Sequence, residues 1–190
     1  MKKFVIPAAI STLLASAPAF AHPGHIAGWG QGLLHPYTGL DHMLAMVAVG
    51  LWAAQQCGSA QWKIPVAFVA AMCLGSLLGM AGFGLPFVEA GIATSVLLLG
   101  LLVAFALRLP VVLGMGLMAV FALFHGHAHG SEMTAAATQS SYIVGFTLAT
   151  ASLHGAGLAV GWLLRNRAEI ALRLGGLLAV AISGAWLALN

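Results

Sequence analysis

Apolar residues run along this chain in blocks of about twenty, separated by short clusters of Gly, Pro, Gln, Lys or Arg. That block length is what a bilayer core demands of a helix. It predicts six spans at about 33–55, 63–82, 86–107, 110–128, 139–164 and 170–188, with connections short enough to make neighbours antiparallel. Pro65, Pro86 and Pro110 fall at predicted helix starts, where a missing N–H breaks no helical bond. Small residues recur every four positions inside the blocks, as Ala71, Gly75 and Gly79 and as Gly157 and Gly161, and Gly114 stands four before Met118. Such spacing lets helix backbones approach closely, as lipid-embedded bundles require. The expected fold is an all-α integral membrane protein, a bundle of six transmembrane helices.

The first residues follow another pattern. Lys2 and Lys3 precede a short apolar stretch over residues 4–14, and Ala19, Phe20 and Ala21 place small residues on either side of an aromatic. A basic start, an apolar core too short to span and an Ala-x-Ala site predict a secretory signal over residues 1–21, cleaved before His22. The remaining residues 22–190 form one membrane domain.

Composition agrees with this picture. Hydrophobic residues make up 61% of the chain and charged residues 6%, with a mean hydropathy of +1.01. Soluble domains run near a quarter charged, so this chain lacks a water-facing surface. The pI of 9.2 does not signal nucleic acid. Without the signal, Lys63, Arg108, Arg165, Arg167 and Arg173 stand against Asp41, Glu89, Glu132 and Glu169, a net charge of +1 with no basic patch. Orientation follows from the same cations. With His22 outside and each span reversing sides, all five fall in inner loops, as the positive-inside rule expects. This places the protein in a bacterial inner membrane with a periplasmic mature N-terminus. Trp29, Trp52, Trp62 and Trp162 fall near predicted interfaces and are expected to anchor there. Cys57 in an inner loop and Cys73 within a span read as small hydrophobes, not as a disulfide.

The polar residues that remain are selective in type. The chain keeps eight His while shedding most other ionisable groups. A charged side chain near a bilayer centre costs about 3 kcal/mol or more, so such groups face the bundle interior and mark function. One cluster is His35, Asp41 and His42. On a helix His35 and His42 share a face, Met46 lies one turn beyond His42, and Asp41 lies about 100° round. From there Asp41 either binds a shared cation or orients an imidazole. Pro36 and Gly39 are placed to break the helix and draw His35 closer. The second cluster is His125, His127, His129 and Glu132. If helical, His125 and His129 chelate from one face while His127 points away; if the flanking glycines end the helix, all three can converge. His154 stands alone in the fifth span, a ligand or a packed core residue. His22 and His25 flank the new N-terminus, where a free amine beside imidazoles either captures a divalent cation or belongs to a plain tail. Imidazole with carboxylate suits Ni, Zn, Cu or Fe better than Mg or Ca.

These motifs carry a resemblance. His35-Pro36-x-x-Gly39-x-Asp41-His42 and Phe124-His125-Gly126-x-Ala128-His129-Gly130-x-Glu132 resemble the two hallmark motifs of the HupE/UreJ family, and the likeness spans essentially the whole chain. It implies a nickel permease, with cobalt as the other cargo, that supplies hydrogenase or urease maturation, and it makes a metallochaperone or those maturation proteins the implied partners. By motif match the function carries to His35, Asp41, His42, His125, His129 and Glu132, while His127 occupies a variable position. The larger nickel/cobalt permeases have four residues before the Asp of a similar motif; this chain has five.

Three readings follow. As a secondary transporter the chain needs no nucleotide site, and no Walker sequence occurs. The membrane potential would drive cation entry by about 2.3 kcal/mol per charge per 100 mV, twice that for a divalent ion. Ligation needs neutral imidazoles, so transport should fall as pH drops through about 6.5. As a haem or metal enzyme it would need an acid or base beside the metal, and only Asp41 or Glu89 could serve. As an accessory scaffold it would hold metal without moving it. The expected ligands, with the transporter favoured and no enzyme activity, are His35, Asp41, His42, Met46, His125, His127, His129, Glu132 and His154, joined by His22 and His25.

Overall fold

The structure, a computed structural model, describes residues 28–133, 138–164 and 169–189. The signal segment, His22, His25, Arg165 and Arg167 lie outside the described residues. Among the described residues, seven α-helices follow one another and no strand occurs: α1 Trp29–Thr38, α2 Leu40–Gln55, α3 Ala60–Met80, α4 Val88–Ala104, α5 Val111–Ser131, α6 Gln139–Leu164 and α7 Glu169–Leu189. Helices α3, α5 and α6 are long and apolar enough to cross a membrane; α2, α4 and the Ile170–Ala185 part of α7 are apolar but shorter.

The segment expected as one span over 33–55 is two helices. Gly39 separates them with extended backbone (φ −86, ψ 113), while its N–H still reaches the His35 carbonyl at 3.3 Å. Helix α3 starts earlier than expected, so Pro65 lies inside it and removes one bond to the preceding turn. Pro110 does sit at a helix start, as the residue capping α5. That helix runs to Ser131, three residues past the expected end, so the whole second histidine cluster is helical.

Glycine sets how the helices pair. The closest partners are α3 with α5, α2 with α6 and α4 with α7. A Cβ at Gly126 would stand 2.0 Å from the Met72 carbonyl oxygen, and one at Gly130 2.1 Å from that of Ser76. Gly157 faces the Val47 carbonyl in the same way, at 2.2 Å. Only a residue without Cβ permits backbones this near, which is the small-residue packing of membrane helices. Gly114 works differently, making room for the Ile64 and Trp52 side chains.

The core gathers Met46, Trp52, Phe68, Met72, Leu99, Met118, Tyr142 and Phe146, while Leu74, Val112, Leu113, Leu148, Leu163 and Leu178 face outward. An outer surface this apolar is what a lipid environment accommodates. Trp29, Trp62 and Trp162 are exposed, but Trp52 is not the interface anchor expected. It is fully buried and donates its indole N–H to the Leu107 carbonyl at 2.8 Å. Gln56 donates to the same oxygen and Gln55 to the Val103 carbonyl, so the end of α2 satisfies the loop leaving α4. These bonds gather the α2–α3 and α4–α5 turns, with Lys63 and Arg108, at one end of the bundle.

Candidate metal centre

The opposite end carries the histidines. The break at Gly39 turns α1 so that His35 meets His42 of α2, and α5 brings His125 and His129 against them. Ring centres lie 4.6 Å apart for His42 and His129, 4.8 Å for His35 and His129, 4.9 Å for His42 and His125, and 5.9 Å for His35 and His42. Four imidazoles from three helices thus form one contiguous group. His42, His125 and His129 are buried; His35 is partly exposed.

Neighbours fix how each ring faces the group. Asp41 Oδ1 accepts the His42 backbone N–H at 2.8 Å and pairs with its Nδ1 at 3.0 Å. The carboxylate therefore accepts a hydrogen bond from Nδ1–H and leaves the Nε2 lone pair free. Ser95 of α4 does the same for His125 from the other nitrogen. Its hydroxyl donates to the Ile92 carbonyl at 2.7 Å, so its oxygen accepts from His125 Nε2 at 2.8 Å. His125 Nδ1 then carries the lone pair. Glu132 Oε2 pairs with His35 Nε2 at 3.0 Å at the open edge of the group. His129 stacks flat on Phe146, 5.3 Å between centres and 6° between planes, with both nitrogens unbonded.

Among the described residues His42 Nε2, His125 Nδ1 and both nitrogens of His129 are buried without a hydrogen-bond partner. Each such atom costs about 1–3 kcal/mol. A cation bound by these lone pairs would offset that cost. An outer acceptor that fixes a ligand's tautomer is the usual support of a metal-binding histidine. Spacing is suitable as well. Metal–nitrogen bonds of about 2.1 Å hold the centres of two imidazoles on one ion roughly 4.5–5.3 Å apart. Three of the four spacings fall in that range. Among the described residues, however, no three His, Cys, Asp or Glu side chains form a finished site. The rings meet at steep angles, 66° to 86°, and adjustment of the side chains would complete the coordination.

The remaining expected ligands stand apart from this group. With α5 helical throughout, His127 points to the other side and its Nε2 bonds the Phe83 carbonyl at 2.6 Å. Met46 turns its sulfur to the Thr150 hydroxyl. His154 lies against Phe68, ring centres 5.1 Å apart. A cavity of about 250 Å³ beside the group is lined by Leu40, Asp41, Leu44, Glu89 and Ala93. Ser95 and Phe146 escaped the sequence reading. The signal for Ser95 was present, since Thr94 and Ser95 interrupt an otherwise apolar block; Phe146 resembles any other core aromatic.

Fold and cluster define an all-helical protein with membrane-length apolar helices and an inward-facing group of histidines. The chain belongs to the HupE / UreJ protein family, which matches it over residues 10–187. It is 43% identical to Protein HupE of Rhizobium leguminosarum bv. viciae over 187 residues, which cover 97% of each chain. No solved structure matches it.

Proposed function

We propose that this protein is a secondary permease for a divalent transition metal, nickel or cobalt, and that it supplies hydrogenase or urease maturation. The observation that carries the reading is the group of His35, His42, His125 and His129, the last three buried in an apolar bundle, with lone pairs on His42 and His125 left free by Asp41 and Ser95. Family membership supports the same direction. In this reading Glu132 and His35 receive the ion at the outer edge. The buried imidazoles then replace its water as their rings turn. Helices α1 and α2 together form one broken span, which makes six crossings of seven helices. Removal of the signal leaves the N-terminus in the periplasm of the inner membrane. Lys63 and Arg108, gathered at the end away from the histidines, fit a cytoplasmic face.

Purified protein in proteoliposomes with an inside-negative potential should take up radiolabelled nickel, and His42→Ala should abolish uptake while the protein still folds. Wild-type uptake by a correctly inserted His42→Ala variant would remove the site assignment. Nickel binding without flux would instead make the protein a scaffold. An Arg108→Cys variant should react with a membrane-impermeant thiol reagent only from the cytoplasmic side, against Cys57→Ser as background.

A further inference from the structure

One turn inward from the histidine group, a second set of soft donors is buried. Thr150 of α6 is fully buried, and its hydroxyl reaches the Met46 sulfur at 3.2 Å and the Met72 sulfur at 3.6 Å. Helical threonines usually return their hydroxyl to the carbonyl a turn earlier. Ser152 and Ser95, also in helices, both return theirs to a nearby carbonyl three residues back. Thr150 instead faces two thioethers from two other helices. Both methionines have no exposed surface.

The position of this set is fixed by the helices that carry it. On α6, Phe146, Thr150 and His154 follow at intervals of one turn and so share a stripe. Phe146 stacks on His129, which marks the outer end of that stripe. On α2, Met46 is one turn beyond His42 in the same inward direction. His154 comes next, 4% exposed, with both ring nitrogens buried and without a partner among the described residues. It also borders a groove of about 470 Å³ between α3 and α6.

We propose that Met46, Met72, Thr150 and His154 form a second, softer transition-metal station directly inward of the histidine group. Two neutral thioethers, a hydroxyl oxygen and an imidazole carry no net charge and bind more weakly than the outer imidazoles and carboxylates. Thioether donors favour soft ions such as copper(I) and tolerate nickel(II). A weaker site next to a stronger one lets an ion advance and leave, because conduction needs binding loose enough to release. As a transport step this rests on the permease reading; as a binding site it does not.

The test uses the full chain purified in detergent and, separately, in proteoliposomes. A His42→Ala/His129→Ala variant, titrated with copper(I) under reducing conditions, should still bind one ion, and X-ray absorption should show sulfur among its ligands. Adding Met46→Leu and Met72→Leu should remove the sulfur signal and weaken binding by about tenfold or more. A sulfur-free shell before that addition, or unchanged binding after it, overturns the site. In the otherwise natural chain, Met46→Leu/Met72→Leu should keep nickel affinity but slow nickel flux by about tenfold; flux at the natural rate overturns the relay. Thr150→Val, which keeps both sulfurs and nearly the same volume, guards against a folding defect and should also slow flux. If the natural chain moves no nickel, the permease reading fails while the copper(I) result still decides the site.

Discussion

Replacing Ser95 by alanine removes one oxygen and asks whether His125 is held in a single tautomer. The Ser95 hydroxyl proton is committed to the Ile92 carbonyl at 2.7 Å, so its oxygen can serve His125 only as an acceptor, at 2.8 Å. Both residues are fully buried, and no water replaces the lost oxygen without cost. Two effects follow. The orphaned Nε2–H should destabilise the fold by about 1–3 kcal/mol, the usual consequence of a buried unmatched donor. The proton would also be free to move to Nδ1, the nitrogen that now offers its lone pair to the group. Loss of an outer hydrogen-bond partner usually weakens metal binding by about 10–100-fold, or roughly 1.4–2.7 kcal/mol. Isothermal titration of nickel into the detergent-purified protein measures the second effect and a thermal melt the first. Ser95→Cys, whose sulfur is a poorer acceptor, should fall between the two. A folded Ser95→Ala protein with natural nickel affinity would show that the hydroxyl merely fills space, and the tautomer reasoning would be refuted.

Further predictions concern packing and the division of labour among the histidines. Gly126→Ala should destabilise the α3–α5 pair by about 1–3 kcal/mol, because its Cβ would meet the Met72 carbonyl, whereas Gly155→Ala, with open space around it, should be neutral or slightly stabilising by about 0.5–1 kcal/mol; thermal unfolding in detergent compares them. His127→Ala should leave nickel uptake kinetics near the natural values, since its ring serves the Phe83 carbonyl, while His129→Ala should abolish uptake. Trp52→Phe should lower stability by about 2 kcal/mol through lost indole volume and one lost bond, with no change in nickel affinity; the Leu107 oxygen keeps its Gln56 donor at 3.1 Å.

What the sequence could and could not disclose follows the range of the forces involved. Span positions rest on local composition, and α6 starts at Gln139, where it was expected. Break positions depend on one residue's backbone, so Gly39 could be marked as a candidate, but the turn it produces between His35 and His42 could not. The facing of His125 and His129 away from His127 was conditional on α5 staying helical through its glycines. It does so because Gly126 and Gly130 are spent on contact with α3, at Met72 and Ser76, and not on ending the helix. A glycine in a membrane helix thus carries two meanings, close approach or termination, and only the partner helix decides between them. The same limit hid Ser95 and the Met46–Thr150–Met72 contact, each of which joins helices far apart in the chain. Residue type was legible throughout; the partner of each residue was not. In a chain so poor in polar groups, the few unpaired nitrogens left by that pairing are therefore the sharpest guide to where an ion would be held.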